Sequence, residues 1–382
     1  MRHVELVEDA VQHSMVAALD AWKERVPDEP TAWLYQVAHN KLVQDLRREQ
    51  GRARILERAT EDAHATESNS AFFADEIPDD MLRMAFACCH ETIPWESQLV
   101  LALKVLCGFS TSEIALRLFT SEANVHKRLT RARDRLRLGA PELEMPPPET
   151  LRARLGGVHA VLYLLFNEGY QSAHAEHAIR HELCDEAVRL TTLLAEHPVG
   201  ARPESFALLA LMHLHAARLG SRVDAAGGLL LLEEQDRSRW DQERIASGMA
   251  WLQRSAAGDA FSRFHAEAGI AAEHCLAPSF AATRWNEIAE LYAMLERVAP
   301  SPLHTLNRAV ALAEAHGAAA GLAVVEDLAP PSWLAGSYLW DAVLADLHRR
   351  VGHVDVAHVH RERAVESAPT EAVRELLRRR LS

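Results

Sequence analysis

Apolar residues recur at intervals of three and four along nearly the whole chain, and no segment sustains the period-two alternation of a half-buried strand. The chain is therefore read as all-α. Val4, Val7, Val11, Met15, Ala18 and Trp22 line one face of a first helix, and Leu34, Ala38, Leu42 and Leu46 line a second that runs from about Pro30 to Arg54. At 382 residues, with 48% hydrophobic and 25% charged, the chain is long enough for two or three ordinary domains. Charges interrupt every long apolar stretch, such as Leu208 to Leu214, well before a bilayer span, so no membrane partner is expected. No basic start followed by an apolar core opens the chain. Five cysteines without framework spacing fit unpaired thiols in a reducing cytoplasm.

Two breaks divide the helices into three parts. Thr60 to Pro78 is acidic, rich in small polar residues and poor in pattern; Gly139 to Pro148 carries Pro141 and the run Pro146, Pro147 and Pro148. The expected organisation is 1–58, a linker at 59–80, a second domain at 81–140, and a third at 149–382 built of Ala- and Leu-rich helices.

Net charge misleads when taken whole. The total of −13 argues against a chain that lives on DNA, but the signs are sorted into blocks. Lys41 to Arg58 holds six basic and three acidic residues, Glu61 to Asp80 holds seven acidic and no basic, and Arg117 to Arg137 holds seven basic and two acidic. Screening acts over roughly 8 Å at physiological salt, so a basic helix still feels a phosphate whatever the distant total. A solvated helix face explains any one such run; two basic helices around an acidic strip need a joint explanation.

Glu96 to Arg137 is the most informative stretch. A helix from Glu96 to Cys107 stops at Gly108, where a left-handed turn is cheap. Ser110 and Glu113 have the spacing of a capping box for a short helix with Ile114, Ala115 and Leu118 inward. After a turn at Phe119 and Thr120, Ser121 caps a third helix that buries Val125, Leu129, Ala132 and Leu136 and carries cations on its other faces. This is the helix-turn-helix plan, whose second helix enters the major groove. Ser121, Asn124, His126, Lys127, Arg128, Arg131 and Arg133 are the candidate DNA contacts. Asn124 and Lys127 are placed to reach bases, and Arg128, Arg131 and Arg133 to hold phosphates. The plainer alternative is a helical hairpin with a solvated basic face.

At this point the residues carry a resemblance. SEIALRLFTSEANVHKRLTRARDRL resembles the C-terminal DNA-binding region of the extracytoplasmic-function sigma factors, and EDAVQHSMVAALDAW with DEPTAWLYQVAHNKLVQDLRR resembles their region 2. RLGGVHAVLYLLFNEGY, LLLLEEQDRSRWD and SPLHTLNRAVALAEAHG are similar to the subgroup with a C-terminal tetratricopeptide-like extension. The resemblance implies region 4 reading a −35 promoter element, and region 2 docking on core RNA polymerase and melting the −10 element. It places Glu8, Asp9 and Gln12 on the helix that docks on the β′ clamp helices, and implies a region 4 contact with the β flap. It places Trp33, His39, Asn40, Lys41, Arg47 and Arg48 on the −10-reading helix, with Trp33 equally a core residue. Melted DNA needs cations for its backbone, here Lys41, Arg47 and Arg48, and hydrogen-bonding or stacking groups for its bases, here His39 and Asn40. The chain begins at the docking helix, so the preceding region 2 helices are expected to be missing. Asn124 stands where relatives carry Thr or a small residue, so the promoter preference does not transfer.

In the third part, Ala345, Gly352, Ala357, Ala364 and Pro369 match the small-residue positions of a tetratricopeptide repeat, and Gly317 precedes Gly352 by 35 residues. Stacked helix pairs make a concave surface for a protein or peptide ligand, or for the chain's own DNA-reading domains. A plain Ala-rich helical domain is the alternative. No catalytic site, metal or cofactor is expected. His174, His177 and His181, with Glu176, Glu182 and Cys184, match no metal signature and read as a polar helix face. Cys88, Cys89 and His90 read as buried. Asn167, Glu168, Gly169 and Tyr170 read as a helix-end turn, and the run from Glu233 to Asp241 as an internal salt-bridged network. The expected function is promoter-specific initiation with core RNA polymerase, regulated by the extension. The rival is a duplex-DNA regulator or scaffold that acts without polymerase.

Overall fold

The computed structural model describes residues 2–23, 26–27, 30–31, 33–42, 77, 79–138, 146–172, 179–224, 228–258, 260–326 and 328–381. Helices dominate, as the periodicity requires; among the described residues the one paired extended contact is an isolated bridge between Val223 and Leu229. The chain forms two units, Met1–Ala74 with Arg133–Glu142, and Asp75–Ala132 with Leu143–Ser382.

The first unit contains α1 (Arg2–Ala21) and α2 (33–42). The inward line of α1 is Ala10, Ser14 and Ala18, all nearly sealed from solvent. Val11 and Met15, expected on the buried face, are exposed together with Val16 and Leu19. Small side chains at 10, 14 and 18 allow close approach, and the larger residues one position on turn roughly 100° away. Val4 and Val7 have side chains outside the described residues. Trp22 packs edge-on to Trp33 with ring centroids 5.4 Å apart, and both residues are half-buried.

The second unit opens with α3 (Asp80–Cys88), α4 (Trp95–Val105), α5 (Thr111–Arg117) and, as far as Ala132, α6 (Glu122–Leu138). They share a core of Leu82, Phe86, Val100, Leu103, Phe109, Ile114, Val125 and Ala132. The extension follows: α7 (Pro148–Tyr170), α8 (His181–Glu196), α9 (Pro203–Ala216), α10 (Gln242–Ser255), α11 (Arg263–Leu276), α12 (Trp285–Val298), α13 (Pro302–His316), α14 (Ala318–Val325), α15 (Ser332–Ala335), α16 (Tyr338–Arg350), α17 (Val354–Glu366) and α18 (Glu371–Arg380). Pro148 starts α7, where its missing N–H costs nothing. Every residue of α9 from Ala207 to Met212 is buried, so this all-round apolar helix sits at the centre, against α8, α10 and α11.

Sequential helices pack as pairs along the rest of the extension, α11 on α12, α12 on α13, α13 on α14, α16 on α17. Gly317 and Gly352 hold φ of 91° and 86° at the turns of the α13–α14 and α16–α17 pairs. Their equivalent place in two successive hairpins accounts for the 35-residue spacing. Ala345, Ala357 and Ala364 are buried where the last pairs cross. Gly228–Glu234 runs in front of these helices. Leu229 packs on the cluster of Ala345, Ala364 and Leu377, and Arg379 of α18 donates to the Leu229 carbonyl and to Glu234, both at 2.9 Å.

Candidate nucleic-acid interface

The turn-by-turn construction of α4–α6 follows local chemistry. Gly108 at φ 66° turns the chain out of α4, and the Phe109 N–H reaches back to the Leu103 carbonyl at 3.2 Å. The capping box closes in both directions: Glu113 N–H donates to Ser110 Oγ at 3.2 Å, and Ser110 N–H to Glu113 Oε2 at 2.7 Å. At the end of α5, Thr120 N–H bonds to the Ala115 carbonyl and Phe119 N–H to the Leu116 carbonyl. That pair is a Schellman closure, and it puts Phe119, not a glycine, at φ 49°. A left-handed L-residue costs about 1–2 kcal/mol, held here by the two bonds around it. Ser121 Oγ accepts from the Asn124 N–H at 3.3 Å and begins α6.

On α6, Val125, Leu129 and Ala132 point inward and Leu136 is half-buried. Ser121, His126, Lys127, Arg131 and Arg133 are exposed, and Asn124 and Arg128 half-buried. The Asn124 amide donates to Thr120 Oγ1 at 2.8 Å, which fixes its orientation at the start of the helix. Lys127, Arg128 and Arg131 hold no ion pair among the described residues. In the first unit, His39 and Asn40 are exposed on α2; His39 stacks on Tyr35 and Asn40 accepts from the Gln36 amide at 3.2 Å. Lys41 is half-buried at the end of that helix. Asp9 and Gln12 are exposed on α1 beside Val11, Met15 and Val16. Arg47, Arg48 and the Glu8 side chain lie outside the described residues, as do His174, Glu176 and His177.

The sequence reading missed how the helix-turn-helix is held. Glu168, near the end of α7, has no exposed surface, and its Oε2 accepts from Arg117 Nε at 2.9 Å and from Arg117 Nη2. Arg117 also donates to the Gln171 carbonyl, and Ser172 Oγ donates to Glu168 Oε1 at 2.7 Å. Around this pair, Arg180 reaches Glu113 at 3.5 Å and lies over the Phe109 ring. Arg154, itself buried, pairs with Glu91 at 2.9 Å; Arg189 pairs with Asp79 at 2.8 Å. A Cβ on Gly157 would meet the Cys89 side chain at 2.9 Å, so α7 packs against the end of α3 with no room for a side chain there. Phe119 touches Trp333 of α15, ring centroids 5.1 Å apart. The helix-turn-helix is thus docked on α7 and α8 and touched by α15. It does not occupy the groove of about 610 Å³ lined by Leu231, Trp285, Tyr292, Asp346 and Arg350.

Cys88, Cys89 and Cys107 are unpaired, and burial raises all three thiols, Cys89 and Cys107 to about 12. Among the described residues no group of His, Cys, Asp and Glu has metal-binding geometry. The run from Glu233 to Asp241 is less a network of ion pairs than a set of helix-end contacts. Asp236 and Asp241 cap the turns that follow them, and Arg237 donates to the His274 and Ala277 carbonyls.

The comparisons with known proteins agree with this layout. The Sigma-70 region 2 family matches residues 1–52, the Sigma-70, region 4 family matches residues 83–136, and a family of unknown function, DUF6596, matches residues 154–256. An uncharacterized protein, R00370, of Rhizobium meliloti (strain 1021) is 35% identical over 372 residues, 96% of this chain and 87% of the relative. The chain belongs to the extracytoplasmic-function-like sigma factors that carry a C-terminal extension. No solved structure matches it. A sigma factor works in transcription initiation, with core RNA polymerase and promoter DNA as its partners. No described helix is long and apolar enough to cross a membrane. In this sigma factor, α3–α6 are region 4, α5 and α6 its helix-turn-helix, and α7–α10 the stretch matched by DUF6596.

Proposed function

We propose that this sigma factor directs core RNA polymerase, in the cytoplasm, to promoters with two recognition elements, and that its extension regulates it in cis through region 4. The observation that carries the reading is the outward face of α6, where Lys127, Arg128 and Arg131 hold no ion pair among the described residues while the opposite face is sealed in the core. Cations left without carboxylates suit phosphates, and those near the Ser121 cap suit base edges of a −35 element. His39, Asn40 and Lys41 suit the melted −10 element, whose splayed bases take hydrogen bonds and stacking. The exposed apolar residues of α1, beside Asp9 and Gln12, suit docking on the β′ clamp helices, and region 4 suits the β flap.

The buried Arg117–Glu168 pair supports the regulatory half of the reading. It fixes α5, and through it the recognition helix, to the extension, so a change in the extension is felt at the DNA-reading face. The test is a mobility shift of a promoter fragment with the whole chain, with and without core polymerase. A shift that needs polymerase is expected. A sequence-specific shift of equal affinity without polymerase would favour the duplex-binding regulator.

A further inference from the structure

Arg218, Arg222 and Arg237 gather where the C-terminal ends of α7, α9 and α11 meet. Arg222 lies over the Tyr170 ring, 3.8 Å from its centroid, and donates to the Tyr170 carbonyl, the last of α7. Arg237 donates to the His274 and Ala277 carbonyls at the end of α11. Helix C-termini carry partial negative charge, so these two arginines are compensated by helix ends. Arg218 is not. It is 9% exposed, its Nε has no partner, and among the described residues its side chain makes no hydrogen bond or ion pair. Its guanidinium lies over the Trp240 ring at 5.4 Å, with that of Arg237 over the same ring at 4.7 Å.

Neighbouring carboxylates are committed elsewhere: Glu273 to Arg284, Asp241 to the first turn of α10 and Arg244, Asp236 to Ser238. Ser221 Oγ, on a residue 1% exposed, and Nδ1 of His215 and His274 are also buried without partners. Burial, reinforced by the arginines, holds both imidazoles down to about 3, so they are neutral at pH 7 and add no charge. Buried cations without a counter-charge are costly, and polar groups left unpaired beside them add to the cost. One oxyanion answers both, because a guanidinium fork matches its geometry and a hydroxyl can donate to it.

We propose that Arg218 and Arg237, with the Ser221 hydroxyl, form a binding site in the extension for a small oxyanion of the phosphate or carboxylate class, seated against Trp240. His274 belongs both to this cluster and to the wall of the 610 Å³ groove, so the two share a side chain. Arg222, beside the cluster, lies over the ring of Tyr170, two residues from the Glu168 that holds Arg117.

The test is thermal unfolding of the whole chain in chloride buffer at fixed ionic strength, titrated separately with inorganic phosphate, a nucleoside monophosphate and a dicarboxylate such as succinate. A saturable rise of about 2–4 °C is expected with at least one. The responding probe separates free phosphate, a nucleotide phosphate and a carboxylate as sources. Arg218→Gln abolishes the rise; Arg239→Gln, at an exposed arginine bonded to the Gly220 carbonyl, keeps it. If Arg218→Gln does not fold, Arg218→Lys is used, with a rise shifted at least tenfold in midpoint. No rise with any probe, or equal rises in the parent and the Arg218 variant, overturns the proposal. The measurement needs neither polymerase nor DNA, so its outcome is separate from that of the initiation reading.

Discussion

Glu168→Ala is the sharpest structural test of how region 4 is attached. The carboxylate is fully buried and takes two hydrogen bonds from Arg117 and one from Ser172. Removing one partner of a buried pair costs about 3–5 kcal/mol, because the other charge is left uncompensated. The Arg117 side chain keeps 18% of its exposure and the Gln171 carbonyl, so solvent relieves part of that cost and about 2–4 kcal/mol is expected. For a unit of this size that is a fall in Tm of about 5–10 °C. Arg117→Met with Glu168→Met should recover most of it, since a buried pair exchanged for apolar groups of similar volume is often neutral. The assay is a double-mutant cycle by thermal unfolding of the whole chain, with a coupling of about 2 kcal/mol or more expected. If the Arg117 and Glu168 substitutions simply add, the pair does not tie region 4 to the extension and the reasoning fails.

Three further outcomes follow from the same geometry. Lys127→Ala should cost about 1–3 kcal/mol on the preferred promoter and relax its preference, whereas Arg131→Ala should weaken all sequences alike and lower the salt slope by about one; filter binding of the polymerase complex over a salt series separates the two. Phe119→Gly removes about 1–2 kcal/mol of left-handed strain and also an aromatic contact worth about 0.5–1.5 kcal/mol, so Tm should move little; Trp333→Ala should then cost less in that background than in the parent. The histidines set a pH trend. His213, His215 and His274 are held at about 4, 3 and 3, mainly by burial, against about 6.5 when unfolded. Protons then bind the unfolded chain first, so stability is full above pH ~6.5 and falls as pH drops toward those lower values. A Tm unchanged between pH 7 and 5 would contradict the burial of these rings.

What the sequence made legible was local chemistry. Ser110 with Glu113, Gly108, the Ser121 cap and the Val125–Leu129–Ala132 stripe are each decided within a few residues, and each stands in the structure as expected. Gly317 and Gly352 were legible because a repeated turn repeats its backbone demand. The misreadings share one cause, a partner distant in sequence. Glu168 looked like part of a helix-end turn because its cation lies 51 residues earlier. The charged run after Leu232 looked like an internal ion network because the carbonyls that Arg237 binds are about 40 residues ahead. On α1, hydrophobicity pointed to Val11 and Met15 together with Ala18, whereas the buried line is Ala10, Ser14 and Ala18. Nothing local could show that Phe119 takes the place of a turn glycine, since its conformation is imposed by the closure around it.

Initiation itself is tested by multi-round transcription with purified core RNA polymerase. Templates are fragments from upstream of the factor's own gene, and the whole chain is compared with its Glu168→Ala variant. Transcripts that require both the factor and polymerase are expected, with a changed yield in the variant. No transcript from any template, in the presence of a chain that still binds duplex DNA by itself, would contradict it.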